Sequence, residues 1–331
     1  MDTGKPSAAS SRRAVLRGAV ARLRRKPEVG VIGAFVILFV VFSCLSSSFL
    51  TLRNMTGIFT VVSELGIVVI GIAFLMIAGE FDLSVSSVYA LSGFLFVTFA
   101  SHLNSLLALL ATLAVAAVIG LLNGLITLRA RIPSFIATLG MMMFLRGVFL
   151  AITGGTSVSY SGDALVPALL TKSIGSGFRP SHLWFIGLAV VFSLVLTKTR
   201  YGNWVFATGG KREVARAMGV NVNRVKLTNF VLCALLAGFA GCIVLTRFKI
   251  ANASFGTGME LEAIASAVIG GTFLTGGYGT IIGAFFGAFL MGMMRTGLIM
   301  SGAPAYWYQA FVGAILILAA TVNLKLHRLE M

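Results

Sequence analysis

Long apolar runs separated by short polar segments make up most of this chain. A helix needs about 20 apolar residues to cross the ~30 Å hydrocarbon core of a bilayer. The pattern predicts about ten such helices, over residues 29–50, 56–79, 83–100, 106–128, 133–153, 183–198, 225–246, 261–275, 278–300 and 305–322. The run at 261–275 is short and rich in small residues, so the count is open by one or two at this point.

Composition agrees with this pattern. Of the 331 residues, 58% are hydrophobic and 11% are charged, and the mean hydropathy is +0.98, whereas an average soluble domain has about 25% charged residues. The chain also contains 38 glycines, and small residues allow transmembrane helices to pack closely, so Gly283-x-x-x-Gly287 is a predicted packing seam. We therefore expect an all-α polytopic membrane protein.

The basic residues lie between the apolar runs and predict an orientation. With the N-terminus in the cytoplasm, 19 of the 26 Lys and Arg residues fall on the inner side and five on the outer side, as the positive-inside rule requires. An even number of helices with both termini in the cytoplasm follows. The expected domains are a basic, disordered cytoplasmic tail (1–28), a transmembrane domain (29–323) and a cytoplasmic C-terminus (324–331). Topology thus explains the net charge of +16, and we expect no nucleic-acid binding.

The residues indicate no metal site, and no bound cofactor is expected. Cys44, Cys233 and Cys242 lie in apolar runs without a Cys-x-x-Cys spacing or a histidine cluster. The segment Gly209-Gly210-Lys211 lacks the upstream glycine and the following Ser or Thr of a phosphate-binding loop, and no lysine-serine pair follows the glycines of 270–292. We therefore expect any ATP hydrolysis to take place in a separate subunit.

The longest polar segment on the predicted inner side is 199–224, TRYGNWVFATGGKREVARAMGVNVNR. Within it, 211–218 consists of good helix formers and is followed by Gly219, a typical helix terminator. A helix of about two turns is unstable unless it packs against something. Two interpretations remain open here, a partner protein or the anionic surface of the inner leaflet.

Several motifs carry a resemblance to a known family. Glu213, Ala215 and Gly219 loosely match the E-A-A-x-x-x-G pattern of ABC-importer permeases. The run YGNWVFATGGKREVARAMGVNVNRVKL resembles monosaccharide permeases of the ribose-transporter type, with Lys211 and Val214 as departures. Three further segments, IAGEFDLSVSS, PSFIATLGMMMFLRGV and ELEAIASAVIGGTFLTGGYGTIIGAFFGAFLMG, are similar to that family and occur in the same order.

The resemblance implies a ten-helix permease of the cobalamin-importer (type II ABC importer) architecture in the bacterial cytoplasmic membrane. It implies three kinds of partner: a second permease copy or a paralogue, ATPase subunits that use ATP and Mg, and an extracytoplasmic sugar-binding protein. The residues expected to couple to the ATPase are Lys211, Arg212, Glu213, Ala215, Arg216 and Gly219. The expected cargo is a monosaccharide or a related polyol. The alternatives are an ABC permease for nucleosides or branched-chain amino acids, and an ion-coupled secondary transporter.

Two carboxylates, Glu80 and Asp82, lie between the second and third apolar runs, where an ionised group facing lipid would cost several kcal/mol. Asp82 could cap the third helix, or it could line the sugar path together with Ser84 at a break in the helix. Both readings stay open. The resemblance covers Asp82-Leu83-Ser84, whereas Glu80 stands where the family commonly has glycine.

Other polar residues fall at membrane depth. Glu64 and Arg146 are placed in the outer half of the bilayer, where we expect Arg146 to pair with Glu64 or to extend towards the outer headgroups. Candidate residues of the translocation path, besides Asp82 and Ser84, are Asn123, Tyr308 and Gln309. The last two rest on a similar aromatic-Gln pair in the related permeases.

Overall fold

The computed structural model describes residues 27–304 and 306–330. The predicted tail at 1–28 therefore lies almost entirely outside the described residues. The described residues form thirteen helices: α1 (Pro27–Leu45), α2 (Leu52–Ile77), α3 (Val85–Ala100), α4 (Ser105–Arg129), α5 (Ser134–Thr153), α6 (Leu165–Thr171), α7 (Pro180–Lys198), α8 (Arg200–Gly210), α9 (Arg212–Ala217), α10 (Val222–Phe248), α11 (Met259–Ile269), α12 (Ile281–Met300) and α13 (Trp307–Glu330).

The predicted helical, membrane-spanning architecture is confirmed. Within the described part of the chain, six helices are long and apolar enough to cross a bilayer, namely α2, α4, α5, α7, α10 and α12. Apolar stretches of α1, α3 and α13 are shorter. Helix α2 is the centre of the bundle, because every residue from Val62 to Ile77 is buried. Helix α10 packs along α2, α3 and α4.

The segment predicted as a crossing at 261–275 has a different structure. Helix α11 has only 11 residues, a rise of about 16 Å, and the chain from 270 to 280 is irregular. Positive φ angles at Gly271, Gly276 and Gly277 turn the backbone out of the helix. The Gly277 N–H then donates to the Ile77 carbonyl at the end of α2. Irregular backbone at this depth is tolerated because protein surrounds it.

Glycines set the close contact between α11 and α12. A Cβ atom on Gly283 would lie 1.9 Å from the Gly270 carbonyl oxygen, and one on Gly287 would lie 2.0 Å from the Ser266 carbonyl oxygen. Both distances are far below van der Waals contact, so no side chain fits at either position. The predicted Gly283-x-x-x-Gly287 pair thus lies on the face of α12 that contacts α11.

A small two-stranded sheet joins the loop after α5 to the end of α10. Strand β1 (Val158–Ser159) pairs antiparallel with β2 (Ile250–Ala251), with Val158 opposite Ala251. Nearby, the Asp163 carboxylate accepts hydrogen bonds from the Ser105 N–H (2.7 Å) and the Leu165 N–H (2.9 Å). It also accepts one from the Ser105 hydroxyl, and these bonds hold the pKa of Asp163 below its usual value.

Candidate functional site

The loop predicted to hold one helix at 211–218 contains two. Helix α8 occupies Arg200–Gly210, and α9 occupies Arg212–Ala217. Lys211 separates them with an extended backbone (φ −124°), so it precedes α9 instead of belonging to it. Met218 lies beyond the last helical residue. The additional helix follows Thr199, whose side chain accepts a hydrogen bond from the Gly202 N–H and caps α8.

Helix α9 presents an exposed face of mixed chemistry. The Ala215 side chain is buried, whereas Val214 is 52% exposed and Met218 is 80% exposed. Glu213 and Arg216 are also exposed. The backbone of Gly219 has φ +82° and stops the helix. An apolar pair four residues apart, flanked by charges, is the kind of surface that docks into a partner's groove.

Glu80 contacts two basic residues, Arg212 and Lys226. We call these three residues the inner cluster. Lys226 is 2% exposed and its Nζ contacts Glu80 Oε1. Arg212 Nη2 lies 3.3 Å from the same oxygen and 3.3 Å from the Gly79 carbonyl oxygen. Of the residues predicted to couple to an ATPase, Arg212 is therefore directed partly back into the bundle. The inner cluster links the start of α9 to the turn between α2 and α3.

Two further contacts join α8 to the bundle. A Cβ atom on Gly209 would lie 1.8 Å from the Ile77 carbonyl oxygen, so this end of α8 is in direct contact with the end of α2. The Tyr201 hydroxyl donates to Asn229 Oδ1 (2.6 Å), and Asn229 Nδ2 donates to the Phe74 carbonyl (3.1 Å). Burial raises the pKa of Tyr201 to about 12, further above neutral pH than the usual value of about 10.

Asp82, Ser84 and Asn123, three of the candidate path residues, lie together and are all fully buried. Asp82 Oδ1 accepts from the Ser84 N–H (2.8 Å) and the Ser84 hydroxyl (2.6 Å). Asn123 Nδ2 donates to Ser84 Oγ (2.8 Å). The expectation that Asp82 itself caps the third helix needs correction, because α3 begins at Val85 and the capping position is Ser84. These three residues bind α3 to α4, and none of them borders the cavity described next.

A cavity of about 430 Å³ opens among the helices on the side of the bundle opposite the inner cluster, and we call it the outer cavity. Its size is within the ~300–1,000 Å³ range of small-molecule sites. It is lined by Val61, Glu64, Leu65, Tyr89, Val244, Arg247, Phe248, Ser254, Phe255, Gly256, Thr257, Met259, Glu262 and Arg295.

Glu64 is paired in this cavity, but its partner is not the expected one. Arg247 Nε lies 2.7 Å from Glu64 Oε1, and Arg247 Nη2 donates to Glu64 Oε2 at 2.8 Å. The guanidinium carbon also lies 4.1 Å from the centre of the Phe248 ring. Arg146 Nη1 instead donates to Thr257 Oγ1 (2.6 Å) at the edge of the cavity. The hypothesis of a Glu64–Arg146 pair is therefore wrong.

The predicted pair Tyr308 and Gln309 splits between two environments. Tyr308 is buried, and its ring centre lies 5.4 Å from the Arg295 guanidinium carbon, whereas Gln309 is exposed. Sequence reasoning did not include the three other charged residues of the cavity wall, Arg247, Glu262 and Arg295, among the candidate sites. Arg247 looked like an outer-loop residue because the apolar run ends at Thr246, but α10 continues to Phe248. The signal in the sequence that could have indicated them is that charged residues, such as Arg247 and Glu262, lie near the predicted outer ends of apolar runs.

A second depression of about 350 Å³ lies beside the outer cavity and is basic. Lys172, Arg179 and Lys249 line it together with Arg247, which also borders the outer cavity. The sequence assigned five basic residues to the outer side, and all of them except Arg53 line this depression.

Comparisons with known proteins agree on one family. Residues 54–320 match the family model described as branched-chain amino acid transport system, permease component. The ribose import permease of Escherichia coli K12 is 36% identical over 292 residues, which are 87% of this chain and 91% of that protein. An L-arabinose ABC transporter permease of Azospirillum brasilense is 34% identical (88% and 85%), as is an autoinducer 2 import system permease of Klebsiella pneumoniae (89% and 86%). No solved structure matches the chain.

Proposed function

Since this chain belongs to the permease-component family of the branched-chain amino acid transport system type, we propose that it is the membrane-spanning subunit of an ABC importer for a monosaccharide or related polyol. The observation that carries the proposal is the similarity, over 87% or more of the chain, to relatives named as ribose and arabinose permeases. The importer is of the binding-protein-dependent kind and works in a bacterial cytoplasmic membrane.

The proposed topology has ten crossings with both termini in the cytoplasm. Nine come from the apolar helices. The tenth comes from α11 together with the irregular 270–280 segment, which contacts the end of α2 through the Gly277 N–H and the Ile77 carbonyl. The distribution of Lys and Arg supports this orientation, since an odd number of crossings would place the basic C-terminal end outside. The architecture is that of the cobalamin importer.

In this proposal α9 is the contact with the ATPase. Val214 and Met218 enter a groove on that subunit, while Glu213 and Arg216 form charged contacts at its edge. ATP and Mg bind the partner subunit, and this chain holds neither. Movement of α9 reaches the bundle through the inner cluster, because Arg212 at the start of α9 contacts Glu80. This movement displaces the turn between α2 and α3, where Glu80 lies.

The remaining partners use other surfaces. An extracytoplasmic sugar-binding protein docks on the outer side, where the basic depression around Lys172, Arg179 and Lys249 suits acidic side chains. A second permease copy or a paralogue covers part of the exposed apolar surface, such as that of α5, where Met143 is 67% exposed and Phe144 is 64% exposed. The rest of that surface faces lipid.

Reconstitution tests the function directly. The chain, its ATPase and its binding protein are placed in proteoliposomes, and uptake of radiolabelled ribose, arabinose, xylose, adenosine and leucine is measured with and without ATP. We expect ATP-dependent accumulation of one of the three sugars. Uptake of adenosine or leucine alone would favour the alternative cargoes of the same machinery. Accumulation by this chain alone, driven by an ion gradient, would show a secondary transporter and overturn the proposal.

A matched pair of glycine variants tests the coupling role of α9. At Gly219 a bulky side chain is strained because φ is +82°, whereas Gly210 has φ outside the left-handed region and open space around a Cβ atom. We expect Gly219→Leu to hydrolyse ATP with little sugar import and Gly210→Leu, which adds the same side chain without the backbone strain, to transport normally. Normal import per ATP in Gly219→Leu would remove α9 from the coupling mechanism.

A further inference from the structure

A cleft of about 320 Å³ lies on the surface of the bundle between α7 and α12, two of the helices that are long and apolar enough to cross a bilayer. It is lined by Ile186, Ala189, Val190, Ser193, Leu194, Ile281, Ile282, Phe285 and Phe286. Four of these side chains are between 40% and 53% exposed, namely Ile186, Val190, Leu194 and Ile282. Exposed apolar side chains on a membrane-spanning helix face hydrocarbon. The cleft therefore suits an acyl chain of the surrounding lipid.

Small residues on α7 create the space, and aromatic rings on α12 form the opposite wall. Ala189 and Ser193 are four residues apart and lie on one face of α7, between larger side chains. The Phe285 ring stacks on the fully buried ring of Phe185, with centroids 4.7 Å apart. Because this wall is held in place before anything binds, an acyl chain that enters the cleft does not have to order it.

The apolar face of α7 ends in a basic residue. Ile186, Val190 and Leu194 line the cleft at intervals of four residues, so they lie along one face of the helix. Lys198 continues that interval and is exposed one turn beyond Leu194, about 6 Å along the helix axis. Arg200, the first residue of α8, is also exposed. Among the residues that the structure describes, neither cation forms an ion pair with a carboxylate. Both charges are thus available to the headgroup of a lipid in the cleft.

An aromatic residue on the next helix indicates headgroup depth. Trp204 is 46% exposed and lies four residues after Arg200, on the same face of α8. Tryptophan is enriched where a bilayer meets water, and basic residues combined with tryptophan are typical of a helix that lies in this interface. The corner between α7 and α8 therefore lies at the level of the lipid phosphates, one helical turn from the cleft.

We propose that the cleft and this corner form one binding site for an anionic phospholipid such as phosphatidylglycerol. One acyl chain occupies the cleft, and the phosphate contacts Lys198 and Arg200. A zwitterionic phospholipid also has a chain that fits, but it lacks the net negative charge that the two cations attract. The site does not depend on the cargo, because it requires only that α7 and α12 cross a bilayer.

The test reports lipid inside the cleft. Phe286→Trp places a fluorescent side chain in its wall, in a background where the three native tryptophans are replaced by phenylalanine. The full chain is reconstituted in mixtures of phosphatidylglycerol and phosphatidylcholine, and one of the two lipids has brominated acyl chains, which quench a tryptophan that they touch. We expect phosphatidylglycerol to be preferred at this position.

Charge variants test the headgroup contact. Lys198→Gln should lower the preference for phosphatidylglycerol about fivefold, the effect expected of one basic residue beside an anionic lipid. Arg200→Gln should have a similar effect. The matched control is Arg129→Gln, because Arg129 is exposed at the end of α4 and does not line the cleft. An equal loss in the control, or no loss in the first two variants, would overturn the assigned headgroup site.

A second pair of variants tests the acyl chain. Ser193→Phe fills the cleft, so both brominated lipids should quench the reporter less. Val191→Phe adds the same ring to α7 at a position that is 53% exposed but does not line the cleft, and quenching should be unchanged. Equal quenching in the two variants would contradict an acyl chain in the cleft.

Native mass spectrometry of the wild-type chain applies even if the reporter disturbs the wall. We expect the chain to retain phosphatidylglycerol under activation that removes phosphatidylcholine, and the double variant Lys198→Gln/Arg200→Gln to lose both lipids alike. Equal retention of the two lipids by the wild type would overturn the proposal. So would a reporter that neither lipid quenches in the complex with the ATPase, because protein would then cover the cleft. Neither result bears on sugar import, so the proposed function is tested separately.

Discussion

The inner cluster and the outer cavity use the same chemistry in different surroundings. In each, a glutamate contacts basic side chains from distant parts of the chain: Glu80 with Lys226 and Arg212, and Glu64 with Arg247. Lys226 is 2% exposed, whereas the Arg247 side chain is 21% exposed and borders a cavity. The same kind of ion pair is therefore enclosed by protein where its main cation is Lys226, and it borders a cavity where its cation is Arg247.

The difference in surroundings has an energetic consequence. Removing one partner of a buried ion pair costs about 3–5 kcal/mol, because the other charge is left without water or a counter-ion. Beside a cavity, water can enter and solvate the remaining charge. Four predictions test this contrast, and they are ordered by the size of the expected effect.

The largest effect is expected for Lys226→Met, which keeps the length of the side chain but removes its charge. Glu80 would retain only the half-exposed Arg212 as a partner, so the free energy of unfolding should fall by about 3–5 kcal/mol. Titration of the purified protein with SDS in mixed micelles measures the loss. The double variant Lys226→Met/Glu80→Gln is the control and should recover part of it. A loss under about 1 kcal/mol, typical of exposed pairs, would show that the inner cluster is hydrated.

A smaller loss is expected for Glu64→Gln. Arg247 keeps a neutral acceptor and faces the cavity, so the free energy of unfolding should fall by about 1–3 kcal/mol. The same titration is used, and Glu80→Gln is the matched variant because it makes the identical change in the inner cluster. We expect Glu80→Gln to be the more destabilising of the two. The reverse order would contradict the proposed difference in solvent access.

Arg212→Gln should change coupling more than stability. The Arg212 side chain is 52% exposed, and exposed ion pairs contribute at most about 1 kcal/mol. We nevertheless expect less sugar imported per ATP hydrolysed, because this residue joins α9 to Glu80. Transport and hydrolysis are measured together in proteoliposomes, with Arg224→Gln as the control on an exposed position at the start of α10. An unchanged ratio would mean that movement reaches the bundle by another route.

The smallest effect is expected at Asp163, a carboxylate outside the membrane-spanning helices. It provides a comparison for Glu80 and Glu64, because it has no basic partner among its hydrogen bonds. Hydrogen bonds from Ser105 and Leu165 lower its pKa in the folded state, so its contribution to stability is complete above the unfolded pKa of about 3.9. That contribution is lost as pH falls through the lower folded pKa. Thermal midpoints measured from neutral to acidic pH should therefore decrease less in Asp163→Asn than in the wild type. Parallel curves would contradict this account.

Sequence reasoning predicted the broad architecture because its signals are local. Apolar runs of bilayer length identify the long helices, and the glycine spacing at Gly283 and Gly287 lies on the α11–α12 contact. The relationship to ribose-type ABC importer permeases is confirmed by the family match. The same local signals were misleading where a helix is interrupted. The apolar run at 261–275 did not reveal that α11 ends at Ile269 and continues as irregular chain.

The candidate site was predicted less well. The sequence placed Asp82, Ser84 and Asn123 on one path, and the structure brings them together as a buried hydrogen-bonded cluster. It could not reveal that Arg247 pairs with Glu64, because charge identity does not specify a partner among many arginines. Gln309 follows Tyr308 directly, yet adjacent helical residues point in directions about 100° apart, so the two meet different surroundings.

Composition, periodicity and motifs alone establish that this chain is a helical membrane protein of a known permease family, because a long apolar run has few stable conformations in lipid. The pairing of its charges depends on packing over long sequence distances. Arg247 and Glu64 are 183 residues apart, and Lys226 and Glu80 are 146 apart. Such contacts form only when several helices have assembled, so the folded bundle settles that Lys226, the partner of Glu80, is enclosed and that Arg247, the partner of Glu64, borders a cavity.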